Sequence, residues 1–132
     1  MSDSNVATLR KVYEASQLDG ADGVEAVLAF FCDDTVWISD PRMPGGGTHR
    51  GKEEVRTYLS DLSIFGDTRI ESQEIIDLGD RVLGMASFRA SPPDGPEVEW
   101  VWCHLVTFRN GLIAEARSFM DRESAREAAG LA

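Results

Sequence analysis

The chain has 132 residues, of which 42% are hydrophobic and 27% are charged, and its formal net charge is −10. This length and composition predict a single globular domain spanning residues 1–132. The negative charge argues against nucleic-acid and anionic-membrane partners, because both would require clustered lysine and arginine side chains. We therefore expect neither partner.

No segment of the sequence predicts export or membrane insertion. The first ten residues, MSDSNVATLR, lack the apolar stretch of a signal peptide, and no apolar run approaches the roughly 20 residues of a membrane span. The two cysteines, Cys32 and Cys103, are far apart and form no CxxC motif, which predicts free thiols in a reducing compartment. Together these features predict a cytoplasmic protein.

Helices are predicted in the first third of the chain. Residues 5–18 and 24–32 carry apolar side chains three and four positions apart, and the segment DGADG separates the two runs. Ser4 or Asn5 is the expected N-cap of the first helix. The period then changes to two, so TVWIS at 35–39 predicts a strand ending at Asp40. PRMPGGGTHRG at 41–51 predicts a loop, and KEEVRTYLSDL at 52–62 predicts a third helix.

The second half predicts four antiparallel strands. Residues 68–78 and 81–91 flank a Gly79-Asp80 turn, SPPDGP at 91–96 forms a longer turn, and residues 97–108 and 112–120 flank an Asn-Gly hairpin turn. Residues 121–130 predict a short helix that begins at Asp121 as N-cap and ends at Gly130. Helices followed by a meander indicate an α+β fold, with a curved antiparallel sheet and helices forming a cone around a pocket.

Three segments resemble the SnoaL-like branch of the nuclear transport factor 2-like superfamily. They are FFCDDTVWISDP at 30–41, GGGTHRGKEEVRTYL at 45–59 and VTFRNGLIAEARSFMD at 106–121. That superfamily includes ketosteroid isomerases, polyketide cyclases, limonene epoxide hydrolases and scytalone dehydratase. The resemblance implies the cystatin-like cone, a homodimer, and chemistry without a cofactor.

The resemblance to ketosteroid isomerases assigns roles to three residues. Their general base falls on Asp40 and their oxyanion-donating tyrosine on Tyr13, while the position of their second donor, an aspartate, is occupied by His104. Burial in an apolar pocket would raise the pKa of Asp40 toward neutrality, as a general base requires. An Asp40–His104 dyad would make the imidazole more basic.

Each assignment has a structural alternative. Asp40 could instead cap the turn at Pro41, His104 could be a satisfied core histidine, and Tyr13 a core tyrosine. Strand alternation places Trp100, Trp102 and His104 on one face. The resemblance implies that this face lines the cone. The predicted ligand-binding residues are Trp37, Ile38, Tyr58, Trp100, Trp102, Ser118 and Met120.

The sequence predicts no metal site, because His49 and His104 lack the spacing of metal ligands and no carboxylate cluster accompanies them. The leading hypothesis is a cofactor-independent enzyme that isomerises, cyclises or dehydrates a small apolar molecule, with Asp40 as the base. One alternative is a non-catalytic module of the same fold that binds or senses a small ligand. Another is a structural domain that associates through its sheet.

Overall fold

The computed structural model describes residues 2–17, 20–43, 46–61, 67–92 and 95–131. Five predicted features extend beyond these ranges: the end of the first helix at 18, the start of the DGADG segment at 19, loop residues 44–45, residue 62 of the third helix and turn residues 93–94. The elements are Ser2–Ala15 (α1), Gly20–Leu28 (α2), Phe31–Ser39 (β1), Gly47–Arg50 (β2), Gly51–Asp61 (α3), Asp67–Asp77 (β3), Arg81–Ser91 (β4), Val98–Arg109 (β5), Leu112–Phe119 (β6) and Arg122–Ala128 (α4). The α+β prediction is confirmed.

The boundaries of the first two helices and of β1 differ from the prediction. α2 begins at Gly20, inside the DGADG segment that was predicted to separate the two helices. α1 begins at Ser2, so Ser4 and Asn5 lie inside the helix and do not cap it. α2 ends at Leu28 and β1 already begins at Phe31, where the sequence predicted continued helix. Phe31 pairs with Ile113 of β6, and this sheet contact prevails over an apolar spacing that is ambiguous in so short a run.

The predicted loop at 41–51 contains a short strand. β2 pairs with β1 in antiparallel register, with His49 opposite Trp37. Gly47 and Gly51 have φ values of 127° and 84°, a region that favours glycine, at the start of β2 and immediately after it. The glycines that suggested a loop therefore allow the chain to enter and leave an edge strand.

Within the described ranges the sheet has six strands in the order β2-β1-β6-β5-β4-β3. All neighbours are antiparallel except β1 and β6, which are parallel. The Asn110-Gly111 turn, with φ values of 54° and 81°, joins β5 to β6 as predicted. Asp121 caps α4 by accepting a hydrogen bond from the Ser124 amide, also as predicted.

The two faces of the sheet carry separate cores. The face that packs against α1 and α3, here called the inner face, carries the larger core, which contains most of the aromatic side chains. The opposite, outer face packs against α4 through residues such as Cys103 and Leu105. Cys32 and Cys103 are both buried free thiols. In the described part of the chain, no helix is long and apolar enough to cross a membrane.

Candidate functional site

A buried tyrosine–histidine pair lies on the inner face. The Tyr13 hydroxyl on α1 is 3.1 Å from Nδ1 of His104 on β5, and the two residues are 4% and 6% exposed. Gly84 of β4 lies directly opposite His104 in the sheet, and a β-carbon there would overlap the Tyr13 hydroxyl. The missing side chain of Gly84 therefore makes room for the pair.

Both members of the pair are uncharged at neutral pH. Burial lowers the pKa of His104 to about 3, because the imidazolium would lose its hydration. Burial, together with the electrostatic effect of Cys103, raises the pKa of Tyr13 far above its ordinary value. If Nδ1–H donates to the Tyr13 oxygen, Nε2 of His104 is a free acceptor within the described part of the chain.

Two indole rings adjoin this histidine. Ring centroids of His104 lie 4.7 Å from Trp102 and 5.7 Å from Trp37, and the two indoles are 6.3 Å apart. Neither the Trp37 nor the Trp102 indole N–H has a hydrogen-bond partner among the described residues. A buried donor without a partner costs about 1–3 kcal/mol, so two at one place need an explanation. We call Tyr13, Trp37, Trp102 and His104 the inner site.

A second polar contact lies next to Trp37. The hydroxyl groups of Ser39 and Tyr58 are 2.5 Å apart and buried. The Tyr58 ring is 5.8 Å from Trp37, and His49 of β2 stacks on it at 4.4 Å. Tyr58 therefore has its hydroxyl satisfied and contributes its ring to the wall of the inner site.

Asp40, immediately after β1, is a fully engaged carboxylate. Its Oδ1 accepts hydrogen bonds from the backbone N–H and Nε of Arg42, both at 2.9 Å. Its Oδ2 accepts from the Arg42 guanidinium at 2.6 Å and from the Met120 amide at 2.9 Å. The same guanidinium also donates to Asp121 at 2.7 Å. The predicted cap of the turn at Pro41 is therefore present, with Asp40 bonded to the amide two residues ahead.

These hydrogen bonds, led by those from Arg42, lower the pKa of Asp40 to about 2 although the residue is only 6% exposed. The predicted rise of this pKa is therefore wrong, because burial is outweighed by a cation and backbone donors. The sequence left open whether Asp40 and His104 form a dyad, and among the described residues the hydrogen bond of His104 is to Tyr13. The carboxylate of Asp40 is thus bound to Arg42 and Met120 and, within the described ranges, makes no hydrogen bond to Tyr13 or His104; we call it, with Arg42, the charged rim of the site.

Most of the predicted ligand-binding residues do lie on the inner face. Trp37, Tyr58 and Trp102 belong to the inner core, and Trp100 and Met120 pack against it. Ser118 pairs with His104 across the sheet, and its hydroxyl accepts a hydrogen bond from the Asp40 amide at 3.1 Å.

Ile38 is the exception among the predicted ligand-binding residues. It follows Trp37 in the strand and so points to the outer face, next to Arg117, which in turn pairs with Leu105 of the outer core. Adjacent strand residues face opposite sides of a sheet, so Trp37 and Ile38 cannot both line the cone, and the prediction for Ile38 is wrong.

Two residues of the site were missed by the sequence analysis. An isolated glycine within a strand signals close approach of another group, so Gly84 in RVLGMAS could have been noticed. Arg42 follows Asp40-Pro41 at the spacing of a side-chain-to-backbone turn, but nothing in the sequence indicates that its guanidinium folds back. In the ranges that the structure describes, no three His, Cys, Asp or Glu side chains are grouped so as to hold a metal ion.

Comparisons with known proteins agree with this architecture. Residues 9–116 match the model of the SnoaL-like domain. A nuclear transport factor 2-like protein of unknown function from Burkholderia pseudomallei is 23% identical, over 94% of this chain and 95% of that one, with a TM-score of 0.78. TerC, co-crystallised with polyporic acid, is 21% identical over 96% and 98% of the two chains, with a TM-score of 0.76.

A third solved structure is a protein from Catenulispora acidiphila with a ketosteroid isomerase-like fold, in complex with trimethylamine. It is 15% identical over 95% of this chain and 93% of that one, with a TM-score of 0.73. No curated protein matches the sequence. The solved structures share the fold, and the domain model covers most of the residues. The chain belongs to the SnoaL-like domain family.

Proposed function

We propose that this protein is a cofactor-independent enzyme that moves a proton on a small, mostly apolar molecule bound at the inner site, in a reaction of the isomerase, cyclase or dehydratase type. The observation that carries the proposal is the buried, uncharged Tyr13–His104 hydrogen bond, built into a space that Gly84 leaves open. A histidine at that position, bonded to a neutral partner beside two indoles, suits chemistry on an uncharged substrate.

His104 is the proposed proton acceptor. In the tautomer with Nδ1–H donating to Tyr13, Nε2 carries the lone pair and can take a proton from carbon next to a carbonyl group. The electron pair moves onto the carbonyl oxygen, and the imidazolium that forms lies beside that new negative charge. Burial makes His104 a weak base in the free protein. As the proton transfers, the negative charge on the enolate oxygen stabilises the imidazolium in the low-dielectric site and so makes His104 a stronger base.

Asp40 was the base predicted from the resemblance, and we now propose a different role for it. A carboxylate with a pKa of about 2 that accepts four hydrogen bonds has little tendency to take a proton from carbon. Its bonds to Arg42 and Met120 connect the segment after β1 to the end of β6. We propose that Asp40 positions the rim of the site and takes no part in the proton transfer.

A non-catalytic binding module remains the second candidate. It is favoured by the same ion pair, because Arg42 withdraws the carboxylate that enzymes of this fold would use as a base. Known structures of the fold support ligand binding in general: TerC was co-crystallised with polyporic acid, and the Catenulispora acidiphila protein was solved with trimethylamine. The homodimer and the cytoplasmic location also remain proposals, and native mass spectrometry would test the first.

Exchange of α-protons tests the proposal without knowledge of the true substrate. 1-Tetralone, a small apolar ketone, is incubated with the protein in D₂O, and loss of its α-proton signals is followed by NMR. We expect the wild-type protein to accelerate the exchange, His104→Gln to lose about 100-fold of that acceleration, and Tyr13→Phe about tenfold.

Asp40→Asn is the matched comparison in this experiment. We expect it to retain exchange within about tenfold, since the charged rim does not touch the moving proton. A large loss in Asp40→Asn with exchange intact in His104→Gln would return the base to Asp40. Binding of 1-tetralone with no acceleration in the wild-type protein would favour the binding module.

A further inference from the structure

The inner site contains two hydrogen-bond donors that the protein itself does not use. Trp37 and Trp102 are 5% and 9% exposed, and their indole N–H groups have no acceptor among the described residues. Both rings adjoin His104, at 5.7 Å and 4.7 Å between centroids. Two unused donors from different strands thus flank the proposed proton acceptor.

The ring contacts around these indoles do not replace a hydrogen-bond acceptor. Trp37 meets His104 at an interplanar angle of 74°, and Trp102 meets Phe88 at 66°, so both indoles take part in T-shaped ring contacts. Even an N–H directed at a ring face gains less than one directed at an oxygen. A ligand oxygen between the indoles would therefore gain hydrogen bonds without breaking a stronger one in the protein.

The aromatic rings of the inner site could also bind a cation through their faces, so the donors alone do not decide the charge of the ligand. The nearby Asp40 carboxylate is already matched by Arg42, and His104 is paired with the neutral Tyr13. A cation would enter a site with no unmatched anion among the described residues and would leave both N–H groups unused. A neutral hydrogen-bond acceptor would pair with both N–H groups and would need no anion in the site.

We propose that the indole N–H groups of Trp37 and Trp102 together bind a neutral carbonyl oxygen of the ligand and hold it beside His104. This inference rests on the proposed function and adds to it the residues that select the ligand. In the proton transfer, the C–H bond breaks, His104 takes the proton, and the electron pair moves to the oxygen. The two indoles then stabilise the enolate oxygen, while Tyr13 fixes the imidazole.

Paired ligands that differ by one oxygen test this proposal. Binding of 1-tetralone and of tetralin, the same ring system without the carbonyl group, is measured by calorimetry on the full-length protein. We expect the wild-type protein to prefer 1-tetralone by at least tenfold. Trp37→Phe and Trp102→Phe should each reduce that preference by about five- to tenfold. The preference is the ratio of the two dissociation constants measured on the same variant. The smaller ring of phenylalanine weakens the binding of both ligands, so its effect largely cancels in this ratio.

If a phenylalanine variant fails to fold, 3-benzothienylalanine at the same position removes the N–H while keeping the shape of the ring. Equal binding of 1-tetralone and tetralin by the wild-type protein would overturn the inference and leave the proposed function standing. An unchanged preference in both tryptophan variants, or tighter binding of tetramethylammonium than of 1-tetralone, would also overturn it. Binding of neither ring compound would count against the proposed function itself.

The proton-exchange assay separates the two proposals further. Trp102→Phe should lower the exchange rate at saturating 1-tetralone, because it removes a donor to the developing enolate oxygen. His104→Gln should lose about 100-fold of the acceleration while keeping the preference for the ketone over the hydrocarbon. Loss of that preference in His104→Gln would show that the histidine, and not the indoles, binds the oxygen.

Discussion

Asp40 and His104 are buried to the same extent, each 6% exposed, yet at neutral pH one is charged and the other is not. Asp40 accepts four hydrogen bonds, two of them from the Arg42 guanidinium group, and its pKa falls to about 2. His104 has one neutral partner, Tyr13, and its pKa falls to about 3. The partners that a side chain finds, and not burial alone, decide its charge.

This contrast divides the site into two environments. The rim at Asp40 is ionic and reaches solvent through Arg42, whose side chain is 54% exposed. The inner site is uncharged and lined by aromatic rings. A catalytic proton transfer belongs in the second environment, where solvent does not compete for the reacting groups.

The strongest test of this contrast is the acid dependence of stability. Below pH 6.5 the unfolded chain protonates His104, while the folded chain stays unprotonated there until about pH 3. The unfolded state therefore binds more protons in this window, and stability falls as the pH falls. We expect the free energy of unfolding to drop by about 2–3 kcal/mol between pH 6.5 and 4.5. Urea denaturation at each pH measures it.

His104→Gln should flatten this pH dependence, and His49→Gln, the matched change at the other histidine, should keep it. The window above pH 4.5 avoids the titration of Asp40, which lies lower. A slope that persists in His104→Gln would mean that a group other than this imidazole destabilises the fold in mild acid.

The second test concerns the space over Gly84. Gly84→Ala places a methyl group where the Tyr13 hydroxyl lies, so it should destabilise the fold by about 2 kcal/mol through overpacking. Tyr13→Phe removes the overlapping oxygen, and the double variant should therefore be more stable than the sum of the two single changes predicts. Chemical denaturation of the four proteins completes the cycle. Strict additivity would contradict the close packing of hydroxyl and strand.

The smallest effect is expected at the rim. Arg42→Met removes the side-chain donors but leaves two backbone amides on Asp40, so the pKa of Asp40 should rise. A lowered carboxyl pKa contributes stability above the unfolded value of 3.8 that is lost as the pH falls toward 2. In a titration of folded fraction against pH, the Arg42→Met variant should therefore unfold in acid at a higher pH than the wild-type protein.

Asp121→Asn provides the control for that experiment. Asparagine caps a helix as well as aspartate does, so this change removes the charge next to Arg42 and keeps the start of α4. We expect the acid end of its curve to stay near that of the wild-type protein. A shift as large as that of Arg42→Met would assign the effect to the whole ionic cluster and not to Asp40.

The fold was largely predictable because its signals are local. Helical spacing, the Asn110-Gly111 turn and the Asp121 cap each depend on a few adjacent residues. β2 was missed because an edge strand of four residues is defined by its pairing with β1, which lies outside its own sequence. The early start of β1 was missed for the same reason.

The candidate site was predicted less well because its chemistry depends on contacts between distant elements. The resemblance selects Tyr13 and His104, but nothing in the sequence shows that they are hydrogen-bonded to each other. The pKa of Asp40 was predicted to rise because burial can be inferred from an apolar strand, whereas the position of a flexible guanidinium group cannot. The sequence also does not decide which face of β1 points inward, because this strand carries apolar side chains on both faces.

The parallel pairing of β1 with β6 has a consequence for how the inner site forms during folding. Tyr13 and Trp37 come from the first third of the chain, whereas Trp102 and His104 lie on β5. The hydrogen bond between Tyr13 and His104 joins residues that are 91 positions apart. Closing so large a loop is entropically unfavourable and slow, and the antiparallel hairpins of the second half need no such closure. The ability to bind a ligand therefore reports on the completed chain, and a fragment that ends before β5 will have none.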